Sequence, residues 1–138
     1  MEKVSESIED YLKAIYLSSK KKKGGWVSNS NIASFLSINP ASVSTMLHKL
    51  KRNELIQWKP RSSLRLTQTG KEIAKKLVKN YNCLYFFFKE ILHINNTVLV
   101  EHMCCKIEHH ITTEVSIALS ELISFKTTKK NKFLNQIS

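Results

Sequence analysis

Glycine and proline are scarce, three and two in 138 residues. A chain so short of both carries few long irregular stretches, and helix is expected to dominate. No run of 18 apolar residues occurs, so no transmembrane helix and no membrane partner are expected. The opening stretch MEKVSESIED is acidic and polar, unlike a secretory signal, and points to the cytoplasm. Three cysteines, Cys83, Cys104 and Cys105, cannot all pair, and vicinal cysteines rarely bridge each other. A disulfide scaffold is therefore not expected.

Acidic residues are also few. The chain holds 22 lysines and arginines against 11 aspartates and glutamates, a net charge of +11. The excess is unevenly placed. Residues 1–79 hold 16 basic and 6 acidic residues, or +10; residues 80–138 hold 6 and 5, or +1. Such asymmetry suggests a polyanion-binding half joined to a half with another task, although a solvated basic surface is the plainer alternative. An apolar fraction of 42% suits a globular chain of one domain, or of two small ones.

The pattern along the chain decides between them. Ser5 or Ser7 can cap a first helix with Ile8, Leu12, Ile15 and Tyr16 on one face, fading at SSKKKKGG. WVSNSNIASFLSI reads as a short helix burying Ile32, Phe35 and Leu36. Asn39-Pro40 then starts another, since asparagine caps well and proline suits the first helical position. This helix buries Val43, Met46, Leu47 and Leu50 and shows Ser42, Ser44, Thr45, His48 and Lys49. Two short helices around a tight turn form a helix-turn-helix, whose second helix reads DNA. LIQWK and LRLTQ are alternating strands around PRSS, a hairpin wing carrying Lys59, Arg61 and Arg65. The expected fold is mainly α: a winged helix-turn-helix over residues 1–70, then a helical region over 71–125, then a basic flexible tail over 126–138.

Past Gly70 a long helix begins amphipathic and becomes apolar on all sides at CLYFFF. Such a segment must be buried. So small a fold has little to cover it, and a homodimer through Leu84, Phe86, Phe87 and the last helix (112–125) is expected. A two-fold dimer matches a palindromic operator in double-stranded DNA.

The stretch CCKIEHH, residues 104–110, lies on a further helix over about 97–111. At 100° per residue, Glu101, His102, Cys105, Glu108 and His109 share an arc of roughly 120°. Cys104 and His110 sit at the edge of the apolar side and are assigned to packing. Cys105, Glu108 and His109 stand at i, i+3 and i+4, where helix side chains meet. Thiolate, carboxylate and imidazole suit Fe(II), Mn(II), Co(II) or Zn(II). A wet polar face is the alternative. A nucleophilic Cys105-His109 pair is a third reading, but no Gly-rich turn or oxyanion-hole segment accompanies it. No enzyme and no small organic substrate are expected.

IEDYLKAIYLSS, IASFLSINPASVSTMLHKLKRNELI, LRLTQTGKEIAKKLV and KIEHHITTEVSIALSELI together resemble the diphtheria-toxin-repressor type of metal-dependent transcriptional regulators, nearest the manganese-transport-regulator branch. The resemblance implies a homodimeric repressor of metal-uptake genes, whose bound metal sets the spacing of two DNA-binding heads. It implies metal ligands at Asp10, Cys105, Glu108 and His109. Cys105 falls where the manganese branch has a carboxylate and the iron branch a cysteine. Glu101 aligns with an ancillary-site histidine. Lys13 replaces a glutamate ligand and Tyr81 a histidine, which implies one metal site with the second absent or degraded. The same two departures open an alternative: a winged-helix DNA-binding or protein-contact module that has lost metal control.

Overall fold

The computed structural model describes residues 4–137; of Phe133, Leu134 and Ile137 it describes the backbone alone. The chain divides into two compact units, residues 1–77 and 78–138. The division falls within a helix, seven residues beyond the expected boundary.

In the first unit, helix α1 (Glu6–Ser19) starts because Ser5 accepts a hydrogen bond from the Ile8 amide, 3.3 Å away. Glu6 and Glu9 in its first turn suit the positive end of the helix dipole. Ile8, Leu12 and Ile15 enter the core. The chain leaves α1 through Gly24 and Gly25, both at positive φ (69° and 74°), a conformation that costs glycine little. Helix α2 (Asn29–Leu36) opens on a capping box between Ser28 and Asn31. Ser37 ends it in the left-handed region at φ 55°. Helix α3 (Pro40–Arg52) follows at once, with Asn39 accepting from the Ala41 amide (2.8 Å) and Pro40 at the first helical position.

Strands β1 (Ile56–Trp58) and β2 (Leu64–Leu66) pair antiparallel, Gln57 opposite Arg65. Val27 adds a bridge to Leu64 through two 2.9 Å hydrogen bonds. Core side chains from α1, α2, α3 and the hairpin form one cluster, with Leu12, Ile15, Ile32, Val43, Leu47, Leu50 and Leu64 fully buried. This is the expected winged helix-turn-helix. Phe35 departs from expectation: it is 52% exposed, because Ile32 and Ala33 already fill the inward face of so short a helix.

Helix α4 (Gln68–Phe86) carries the chain into the second unit and ends in a π-turn, Phe87–Ile91. Helix α5 (Thr97–Ile107) is capped by Asn96, a 3₁₀ turn follows at Glu108–His110, and helix α6 runs from Thr113 to Ile137. Leu84, Phe88, Val100 and Cys104 form the core of this unit.

Four expectations are corrected here. Leu84 belongs to the chain's own core rather than to an open face, and Phe86 and Phe87 are half-buried. Open apolar side chains of this unit include Leu92, Val98 and Leu99, and on the last helix, as expected there, Val115, Ile117 and Phe125. The tail is helical to Ile137, since lysine is a good helix former and no glycine or proline interrupts it. The α-helix carrying the CCKIEHH stretch stops at Ile107, not near 111.

Candidate functional site

Two sets of side chains bear on function. On α3, Ser42, Thr45, His48 and Lys49 are exposed. The Thr45 hydroxyl bonds back to the Ala41 carbonyl (3.2 Å). His48 packs edge-on against Trp58, ring centroids 4.8 Å apart, which ties the helix to the wing. Ser44 differs from the other four. It is half-buried, donates to the Pro40 carbonyl (3.3 Å) and accepts from Asn29 Nδ2 (2.8 Å).

In the wing, Arg61 is exposed at the turn with φ 66°. Arg65 is half-buried and committed: its Nε donates to Gln57 Oε1 (2.7 Å) and its guanidinium lies 4.6 Å from the Trp26 ring centroid. Sequence periodicity places a residue on a face but does not tell which hydroxyl or guanidinium is already engaged there.

The second set lies where α5 gives way to the 3₁₀ turn. A 3₁₀ turn advances 120° per residue and an α-helix 100°, so the change of period after Ile107 moves Glu108 only about 20° from its place on the wheel. Glu108 is nevertheless not on an open polar face: it is 1% exposed, covered by packing that a wheel does not describe. The His109 side chain is 3% exposed, and its Nε2 stands 3.8 Å from Glu108 Oε1. Cys105 and Glu101 are exposed on α5, and Cys104 is fully buried, as its packing assignment expects. His110, assigned with it to the buried edge, is exposed. Asp10 is exposed on α1 in the first unit, and Lys13, one turn on, is half-buried.

Ligand–metal distances of about 2.0–2.2 Å put two donors of one ion roughly 3–3.5 Å apart. The Glu108–His109 pair needs only a small adjustment to share an ion. A carboxylate and an imidazole held together out of solvent form a donor pair suited to a divalent transition metal.

Tyr81 on α4 holds its phenol proton tightly, its pKa pushed up to about 12. Burial is the main cause, and the charges of Cys105, Cys104 and Glu101 add to it. Sequence reasoning missed Asn80, whose buried side chain donates to the Glu108 carbonyl (3.4 Å). The signal available was a pair of carboxamides, Asn80 and Asn82, ahead of an apolar run.

Residues 3–64 match the family described as "Iron dependent repressor, N-terminal DNA binding domain", and residues 67–132 match "Iron dependent repressor, metal binding and dimerisation domain". The chain is 33% identical over 112 residues to an uncharacterized HTH-type transcriptional regulator of Methanocaldococcus jannaschii, covering 81% of this chain and 88% of that one. It is 32% identical over 119 residues to the HTH-type transcriptional regulator MntR of Shouchella clausii, covering 86% and 80%. The solved structure of the manganese regulator SloR is similar at TM-score 0.68 and 28% identity, over 86% of this chain and 54% of SloR. The chain thus spans about half the length of that regulator. With a basic winged helix in one unit and a buried Glu-His pair in the other, the chain belongs to the iron-dependent repressor family of metal-dependent transcriptional repressors.

Proposed function

We propose that the chain, as a homodimer, represses genes of divalent-metal homeostasis by binding a palindromic operator when manganese or iron is present. The observation that carries this reading is the buried Glu108–His109 pair, set in a chain whose other unit is a basic helix-turn-helix. Asp10 and Cys105 complete the ligand set by sequence correspondence, and Glu101 stands one turn before Cys105 as an ancillary carboxylate. A ligand from α1 and ligands from the α5 turn would make the ion a link between the DNA-binding and metal-binding domains. Only an ion that binds one arrangement of the domains better than another can shift the equilibrium, and shared ligands supply that difference. The open apolar side chains Val98, Leu99, Val115 and Ile117 supply the dimer contact. A regulator of this kind works in the cytoplasm, and among the described residues no helix is long and apolar enough to cross a membrane.

Cys105 biases the site. Thiolate favours Fe(II), Co(II) or Zn(II), and manganese prefers oxygen and nitrogen donors. Cys105→Asp is expected to move preference toward Mn(II). The test is operator affinity of wild type and His109→Ala with Mn(II), Fe(II), Co(II), Zn(II) and chelator. Metal should tighten wild type and leave His109→Ala unchanged. Equal affinity in every state would sink the switch and favour the alternative suggested by Lys13 and Tyr81, a winged helix without metal control.

A further inference from the structure

Three polar or charged residues are buried as a whole among the described residues, Asn80, Glu108 and Ser116, and the His109 side chain is buried as well. Two of them meet. Asn80 Nδ2 donates to the backbone carbonyl of Glu108 at 3.4 Å, tying α4 to the 3₁₀ turn that presents Glu108 and His109. A carbonyl oxygen only accepts, so the carboxamide atom facing it must be the nitrogen. That assignment sends the other end of the carboxamide elsewhere. Asn80 Oδ1 is buried and finds no hydrogen-bond donor among the described residues. Leucine, of similar size, would fill the same space without burying an unmatched oxygen. A buried acceptor left over in this way calls for water or an ion to use it.

We propose, resting on the metal-site reading above, that Asn80 Oδ1 is a further oxygen donor to the ion held by Glu108 and His109. The carboxamide then has two tasks. Its nitrogen anchors the ligand turn through the Glu108 carbonyl, and its oxygen enters the metal's ligand shell as a neutral donor. Neutral carbonyl oxygens suit Mn(II) and balance the pull of the Cys105 thiolate toward softer ions. Asn80 thereby becomes a determinant of metal choice and not of binding alone. A carbonyl donor adds no charge, so it raises coordination number without adding repulsion to a site already holding carboxylates.

The test compares wild type, Asn80→Leu and Asn80→Ala by calorimetric titration with Mn(II) and with Zn(II), and by thermal melting of the full-length metal-free protein. Asn80→Leu removes the unmatched oxygen and the bond to the Glu108 carbonyl together, so its metal-free melting serves to show that the variant is folded. It should lose about tenfold or more in Mn(II) affinity and distinctly less in Zn(II) affinity. Asn80→Ala leaves room for a water in place of the oxygen and should recover part of the Mn(II) loss; it also serves if the leucine variant does not fold. Equal losses for both metals would reduce Asn80 to an anchor of the turn and overturn the donor assignment, as would wild-type affinities in both variants. A wild type that binds neither metal is a different result: it removes the metal site itself and the inference with it.

Discussion

Asn29 Nδ2 lies 2.8 Å from Ser44 Oγ and 3.3 Å from the Pro40 carbonyl, so the first residue of α2 is pinned to the first turns of α3. The angle of the helix-turn-helix is held by this contact as well as by the core beneath it. Ser44→Ala should cost about 0.5–1.5 kcal/mol of stability, the usual worth of a partly buried hydrogen bond. It should leave sequence preference unchanged. Thr45→Ala should do the reverse, since Thr45 is exposed and its one hydrogen bond stays within α3. Denaturant melts and binding to a panel of operator variants separate the two. A changed base preference in Ser44→Ala would show that its hydroxyl reads DNA after all.

The wing offers a second contrast. Arg61 is exposed at the turn, whereas Arg65 is held by Gln57 and Trp26. Neutralising one phosphate contact releases about one counterion, so Arg61→Ala should lower the slope of log affinity against log salt by roughly one, at constant stability. Arg65→Ala should leave that slope intact and cost about 1 kcal/mol, from a lost cross-strand pair and cation–π contact. Salt titrations of both variants on one duplex decide it, and a slope change confined to Arg65→Ala would reverse the assignment.

Much of the first unit was legible because its signals are local. Ser5, Ser28 and Asn39-Pro40 satisfy amides within three residues of themselves, and Val43, Leu47 and Leu50 repeat at helical spacing. Phe35 misled because an eight-residue helix has room for few inward side chains, and helical spacing does not say where the neighbouring wall ends. Glu108 and His110 misled for a different reason. A wheel gives a side chain's direction from its own axis, not what covers it, and here Glu108 is covered while His110 is open. His109 stands beside Glu108, its neighbour in the sequence. The length of α6 was hidden by KTTKKNK, where charge reads as loop although lysine favours helix. Asn80 escaped because a bond to a backbone carbonyl 28 residues on leaves no periodic mark in the sequence.

Gly70 is required by packing, not by its φ. A Cβ there would strike the backbone carbonyl of Leu55, which also accepts from the Thr67 amide at 3.0 Å. Backbone cannot rotate away as a side chain can. Gly70→Ala should therefore destabilise by about 1–3 kcal/mol, although alanine is the better helix former. The measurement is the denaturant midpoint of the full chain. A rise in stability would mean that α4 can shift away from the Leu55 carbonyl at no cost.

Tyr81 supplies the last prediction, made for the metal-free protein. Its folded pKa is raised to about 12 from 10, mainly by burial and then by the charges of Cys105, Cys104 and Glu101. The sign follows from proton counts. Below pH 10 the phenol is protonated in both folded and unfolded chains, and its contribution is constant. Between about pH 10 and 12 the unfolded chain loses this proton and the folded chain keeps it, so stability falls as pH rises. Tyr81→Phe has no proton to lose and should remove that part of the decline. Ultraviolet difference titration of the folded protein should show one tyrosine ionising above the others, and this late step should be absent from Tyr81→Phe. If the step persists in the variant, another tyrosine is the tightly held one, and the crowding of Tyr81 by the Cys105 face is weaker than its surroundings imply.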